Sequence, residues 1–125
     1  MTAVLDAGAL IAIDKRDRTV GAMLRVLQRE GVPVNTSAAA VAQVWRDGGR
    51  QANLARVLPG VDIAALDELA AKKVGGLLRA SDSTDLVDAH VALLAAQDGS
   101  VLTSDDDDIR ALLRARRVRA RVVHV

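Results

Sequence analysis

The sequence predicts an α/β fold built on a central parallel sheet, because short apolar runs alternate with helical patterns and acidic residues stand directly after apolar runs. Such alternation implies right-handed βαβ units with helices covering both faces of the sheet. A chain of 125 residues suits one core, so residues 1–125 are expected to form a single domain.

Each element follows from its local pattern. Ala3-Val4-Leu5 is an apolar run ending at Asp6, and Val32-Pro33-Val34 is a second, bounded by Gly31 and Asn35; both read as short buried strands. Between them Leu10, Ile11, Met23, Leu24 and Leu27 recur at helical spacings among Asp17, Arg18, Arg25 and Arg29, which predicts an amphipathic helical connection. Thr36 and Ser37 can cap a helix from Ala38 to Trp45 that stops near Asp47-Gly48-Gly49. The stretch Val57 to Ile63, with Pro59 and Gly60, is expected to hold a short strand, and Ala64 to Leu78 resumes a helical pattern. A polar break at Asp82 to Thr84 precedes a helix from Leu86 to Gln97, ended by Gly99. Val101-Leu102-Thr103 is the next strand, Asp105 to Arg114 the next helix, and Val118 to Val125 the closing strand.

Composition narrows the chemistry. Half of the residues are hydrophobic and the formal net charge is +1, which describes a folding chain with no bulk attraction for nucleic acid. The charge is local instead: four acids, Asp105 to Asp108, are followed by Arg110, Arg114, Arg116, Arg117, Arg119 and Arg121. The absence of cysteine excludes disulfides, a thiolate nucleophile and a cysteine-ligated zinc site. With Trp45 as the only aromatic residue, no stacking track exists, and any grip on a nucleic acid would be electrostatic. No basic leader opens the chain and no run approaches the roughly 18 apolar residues of a membrane span, so a cytoplasmic protein without membrane contact is expected.

In an open parallel sheet, sites form beyond the carboxyl ends of the strands, which singles out Asp6 and Asp105. By itself Asp6 is as well explained by capping the helix that follows. Asp88, about three residues after a cap at Asp85 or Thr84, fits a capping box and gains roughly 0.3 to 1 kcal/mol from the helix dipole, and Asp106 and Asp107 fit a solvated face. The combination is what points to a site. Asp6, Asp88 and Asp105, each expected at a separate βα junction, would repel one another unless a cation neutralised them. Oxygen ligands without Cys or His favour Mg²⁺ or Mn²⁺ over zinc, and such ions serve phosphodiester hydrolysis.

Four segments carry a resemblance: Val4-Leu5-Asp6-Ala7-Gly8-Ala9-Leu10-Ile11-Ala12, Ala42-Gln43-Val44-Trp45-Arg46, Asp85-Leu86-Val87-Asp88-Ala89-His90-Val91-Ala92 and Val101-Leu102-Thr103-Ser104-Asp105-Asp106-Asp107-Asp108. In order and spacing, from about Ala3 to Val123, the chain resembles the PIN-domain ribonucleases, in particular the VapC toxins of type II toxin-antitoxin modules. The resemblance implies a PIN-like three-layer α/β/α sandwich and Mg²⁺-dependent endoribonuclease activity, with Mn²⁺ as an alternative ion, on structured RNA such as tRNA or rRNA. It makes Asp6 the first metal ligand, Asp88 the third acid and Asp105 the fourth, with Asp108 as a helper. Thr103 or Ser104 matches the polar residue that orients metal or water. It also implies a homodimer and a cognate VapB-like antitoxin.

One position departs from the pattern: where the family usually has Glu, this chain has Gln43. An amide oxygen can hold a water or a metal weakly, but it has no charge and cannot act as a general base. Three explanations stay open: a Glu→Gln change that inactivates a toxin, a natural variant in which Asp85 or Asp108 compensates, or a protein that binds RNA or a partner without cutting. His90, two residues beyond Asp88 and so on another helix face, is read as packing or surface, and His124 as an edge or tail residue. Trp45 is read as core or interface. Arg114, Arg116 and Arg117 are the RNA contacts the basic cluster suggests. A phosphoacceptor domain of the receiver type fits less well, since Lys72 and Lys73 lie outside any strand end and no lysine follows a late strand.

Overall fold

A five-stranded, fully parallel sheet carries the fold in the computed structural model, which describes residues 1–125. Its strands are β1 (Ala3–Leu5), β2 (Val34–Ser37), β3 (Asp62–Ala64), β4 (Ser100–Thr103) and β5 (Arg121–His124), in the order β3-β2-β1-β4-β5. Seven helices connect them: α1 (Ala7–Asp14), α2 (Arg18–Arg29), α3 (Ala38–Val44), α4 (Ala52–Val57), α5 (Glu68–Ser81), α6 (Leu86–Leu94) and α7 (Asp106–Arg116). The α/β class with a central parallel sheet is thus as expected. None of these helices is long and apolar enough to cross a membrane.

The strand order locates the crevice. From β1 the chain builds outward through β2 to β3, then returns to the other side of β1 with β4 and β5. The reversal lies between β1 and β4, where diverging connections open a cleft beyond the carboxyl ends. Register pairs Leu5 with Leu102, so Asp6 and Thr103 emerge together at that cleft. Beneath it lies an aliphatic core in which Val4, Leu5, Leu10, Val91, Val101, Ile109 and Leu112 are wholly buried.

Several boundaries differ from the sequence reading. The second strand begins at Val34 rather than Val32 and runs on through the residues expected only to cap. Polar side chains are tolerated there because each finds a partner: Thr36 Oγ1 donates to Leu5 O at 2.8 Å, and Ser37 Oγ pairs with His90 Nδ1 at 2.6 Å. Ser37 also caps α3 through Ala39 N–H, as expected. The first helical connection is two helices, broken where Arg16 takes φ 58° and Asp17 accepts from Val20 N–H to start α2. Helix α4 has no clear periodic signature in the sequence. It follows the Gly48-Gly49 break, and its Leu54 enters the core. The helix expected from Ala64 starts at Glu68, capped by Asp67, and extends to Ser81. The closing strand starts at Arg121 rather than Val118, because Arg117 in the left-handed region turns the chain out of α7 first.

One expectation about placement fails. Asp88 does not enter at a βα junction: α6 follows α5 directly, and its first turn stands at a helix–helix turn within the β3-to-β4 crossover. Asp82 makes that turn in the left-handed conformation at φ 58°.

Candidate metal centre

Asp6 is buried just past β1, and both of its oxygens are used. Oδ1 accepts from Ala9 N–H at 2.8 Å, while Oδ2 accepts from Thr103 Oγ1 at 2.5 Å and from Ser104 N–H at 3.1 Å. The carboxylate therefore caps α1 and also latches β1 to the β4–α7 turn. Burial pushes its pKa up, the three hydrogen bonds oppose that, and the charge of Asp105 adds to the rise.

Thr103 is fully buried and links two acids. Its hydroxyl donates to Asp6 and accepts from Asp105 N–H at 2.8 Å, fixing the turn from which Asp105 projects. Gly8 makes the approach of α1 to this turn feasible. A Cβ at Gly8 would lie 1.9 Å from Ser104 Oγ and 2.6 Å from Ser104 Cβ. Rotating the hydroxyl away does not relieve the second contact. Gly8→Ala is therefore expected to cost about 1 to 3 kcal/mol by overpacking. Thermal melting should recover most of that loss in Gly8→Ala/Ser104→Gly, and a double variant no better than Gly8→Ala would refute the contact.

Asp85, Asp88 and Asp105 form the tightest acidic group, with one carboxylate oxygen of each within 4.8 Å of the others. Asp85 caps α6 by accepting from Asp88 N–H at 3.0 Å. The capping-box account of Asp88 fails, however, because Asp85 N–H donates to Ser83 Oγ instead. Asp88 is buried, and its Oδ2 has no hydrogen-bond partner at all. An orphaned carboxylate oxygen is costly to bury. Its pKa is pushed up to about 8, by burial first, then by Asp85, a hydrogen bond with Asp105, and the charges of Asp105 and Asp6. Asp108, on the first turn of α7, is raised as well, through its hydrogen bond and charge contact with Asp105. A buried carboxylate with one unpartnered oxygen, in a group whose donors are all carboxylates, fits a hard divalent cation.

The remaining sequence candidates lie as follows. Asp6 stands beside this triad rather than in it, although its charge reaches Asp88. Gln43 is exposed near the end of α3, and its amide makes no hydrogen bond within the chain. Ser104 contributes its backbone N–H to Asp6. Arg114 and Arg117 are exposed, but Arg116 is turned inward. Its Nη1 donates to Ala92 O at 2.6 Å and Ala95 O at 2.9 Å, closing the carboxyl end of α6. His90 is buried packing, and burial lowers its pKa. Trp45 is partly exposed and lies over Gly48.

His124 is the neighbour that the sequence did not reveal. It pairs in register with Thr103, and its Nδ1 meets Asp106 Oδ1, next in sequence to Asp105, at 2.8 Å. Only the β4–β5 register brings it there.

Among solved structures, the chain is similar to a chain of VapBC2 from Rickettsia felis, crystallised bound to a DNA fragment from their promoter. The identity is 15%, the TM-score is 0.69, and the match covers 100% of this chain and 99% of that one. No family model and no curated protein matches the sequence. The likeness establishes the fold, a PIN-like α/β/α sandwich around a parallel sheet.

Proposed function

We propose that the chain is a metal-dependent endoribonuclease, the toxin of a VapBC-like toxin-antitoxin module. The observation that carries this reading is the buried Asp88 carboxylate, one oxygen of which has no partner, grouped with Asp85 and Asp105 beside the switch point of the sheet. Asp85, Asp88 and Asp105 would hold a Mg²⁺ or Mn²⁺ ion, with Asp6 and Asp108 as flanking carboxylates. When bound, the ion supplies an activated water and neutralises charge building on the phosphodiester. Thr103 and the Ser104 N–H keep Asp6 oriented, and the α7 turn keeps Asp105 in place. On this reading the partners are structured RNA, a VapB-like antitoxin and a second copy of the chain. The similarity of fold to the Rickettsia felis VapBC2 chain supports the antitoxin partner.

A second reading, a PIN-like domain that binds antitoxin or RNA without cutting, is favoured by Gln43 alone. Its amide is exposed and uncharged, and it makes no hydrogen bond within the chain. Incubating structured RNA with Mg²⁺ or Mn²⁺ and either the native chain or Gln43→Glu separates the two. Metal-dependent cutting by the native chain is expected, with Gln43→Glu faster by on the order of 10²-fold through restored general-base capacity. Cutting by the variant alone would mean that the native chain only binds, and no cutting by either would defeat the nuclease reading.

A further inference from the structure

Along the far edge of the sheet, four arginines surround one groove and none has a partner. The groove, of 480 Å³, lies between α7 and the edge strand β5, with Arg110, Arg114, Arg119 and Arg121 around an apolar floor that includes Leu113 and Val122. No carboxylate lines it. None of the four guanidinium groups makes a hydrogen bond or salt bridge within the chain; Arg119 and Arg121 are tied only through their backbone groups. Four like charges held this close repel one another, a cost that an anionic polymer would relieve.

The groove also runs toward the end of α7 that Asp105 begins. Arg110 and Arg114 follow Asp106 by one and two helical turns on the same face of α7, about 6 and 12 Å along its axis. β5 runs beside them and ends at His124, level with Thr103 and bonded to Asp106. A second and larger groove, at the opposite end of the sheet, also carries four arginines, but Asp17 and Asp62 are interleaved with them. Its positive charge is weaker and spread over 1220 Å³.

We propose that the α7–β5 groove is the track on which the RNA backbone lies as it reaches the acidic group, with Arg110, Arg114, Arg119 and Arg121 on successive phosphates. The inference rests on the nuclease reading for the identity of the polymer. The carboxylates repel phosphate, and the arginines supply the attraction they lack. With no aromatic residue in the groove to stack on bases, the track binds without regard to sequence.

The test is the salt dependence of binding to a labelled single-stranded RNA, measured in chelator so that no cleavage intervenes. For single strands each arginine–phosphate contact adds about 0.7 to the slope of log affinity against log salt. Arg114→Gln/Arg121→Gln should lower that slope by about 1.4 and weaken unrelated sequences alike, with unchanged circular dichroism. Arg18→Gln/Arg25→Gln, in the larger groove, should leave the slope as it is. An unchanged slope in the first pair, or an equal fall in the second, would overturn the track. The nuclease reading is judged separately: a lowered slope without metal-dependent cutting keeps the track and removes the nuclease, and cutting with an unchanged slope does the reverse.

Discussion

Asp88→Asn is expected to reduce metal-dependent RNA cleavage by about 10³-fold, the range in which a single electrostatic group at a reacting centre acts, while making the metal-free protein more stable at pH 8. The two effects have one cause. Asp88 is buried with an unpartnered oxygen, and its neighbours Asp85, Asp105 and Asp6 are acids. Above its pKa of about 8 the metal-free protein carries a buried charge that nothing offsets. The neutral amide removes that charge and the cation affinity with it. A structural aspartate would behave otherwise, since removing a paired carboxylate destabilises a fold. Melting curves in chelator and cleavage assays on the same preparations check both halves, and an Asp88→Asn protein that is less stable at pH 8 yet still cuts would refute the assignment.

Divalent cation is expected to stabilise the native chain more at high pH than at low pH. Asp6 and Asp88 have folded-state pKa values raised above the unfolded value of 3.8. The native state thus holds more protons than the unfolded state as pH rises from that value, and the metal-free protein loses stability up to about pH 8, where Asp88 titrates. A bound cation replaces the protons. At 100 times its Kd it adds about 2.7 kcal/mol, on the order of 10 °C in Tm for a domain of this size. Scanning calorimetry at pH 5 and pH 8, with and without Mn²⁺, should show a small shift at pH 5 and a large one at pH 8. Equal shifts at both would mean that the cation binds elsewhere.

The two central strands, β1 and β4, were legible because their apolar runs are bounded by polar residues. Ala3–Leu5 and Ser100–Thr103 stand close to where the pattern put them. β2 was misplaced because Thr36 and Ser37 look like helix caps, whereas their partners, Leu5 O and His90, come from distant parts of the chain. α4 escaped for a similar reason: its short pattern gains meaning only when Leu54 meets the core. At the site, the acids could be picked out by type and place, but not their grouping. Asp85 joins Asp88 and Asp105 because the α5–α6 turn brings the start of α6 to the turn between β4 and α7, a tertiary fact absent from spacing. Asp6 instead spends its oxygens on Ala9, Thr103 and Ser104. Arg116 looked like its basic neighbours until the carboxyl end of α6 claimed it.

The most direct test of the acidic group as a cation site is calorimetric titration of Mn²⁺ at pH 8 into the native chain and Asp88→Asn. Saturable binding by the native chain, lost or weakened at least tenfold in Asp88→Asn, is the expected result. Equal binding by both proteins, or none by the native chain, would contradict it and leave Asp6 and Asp85 as helix caps beside a buried Asp88.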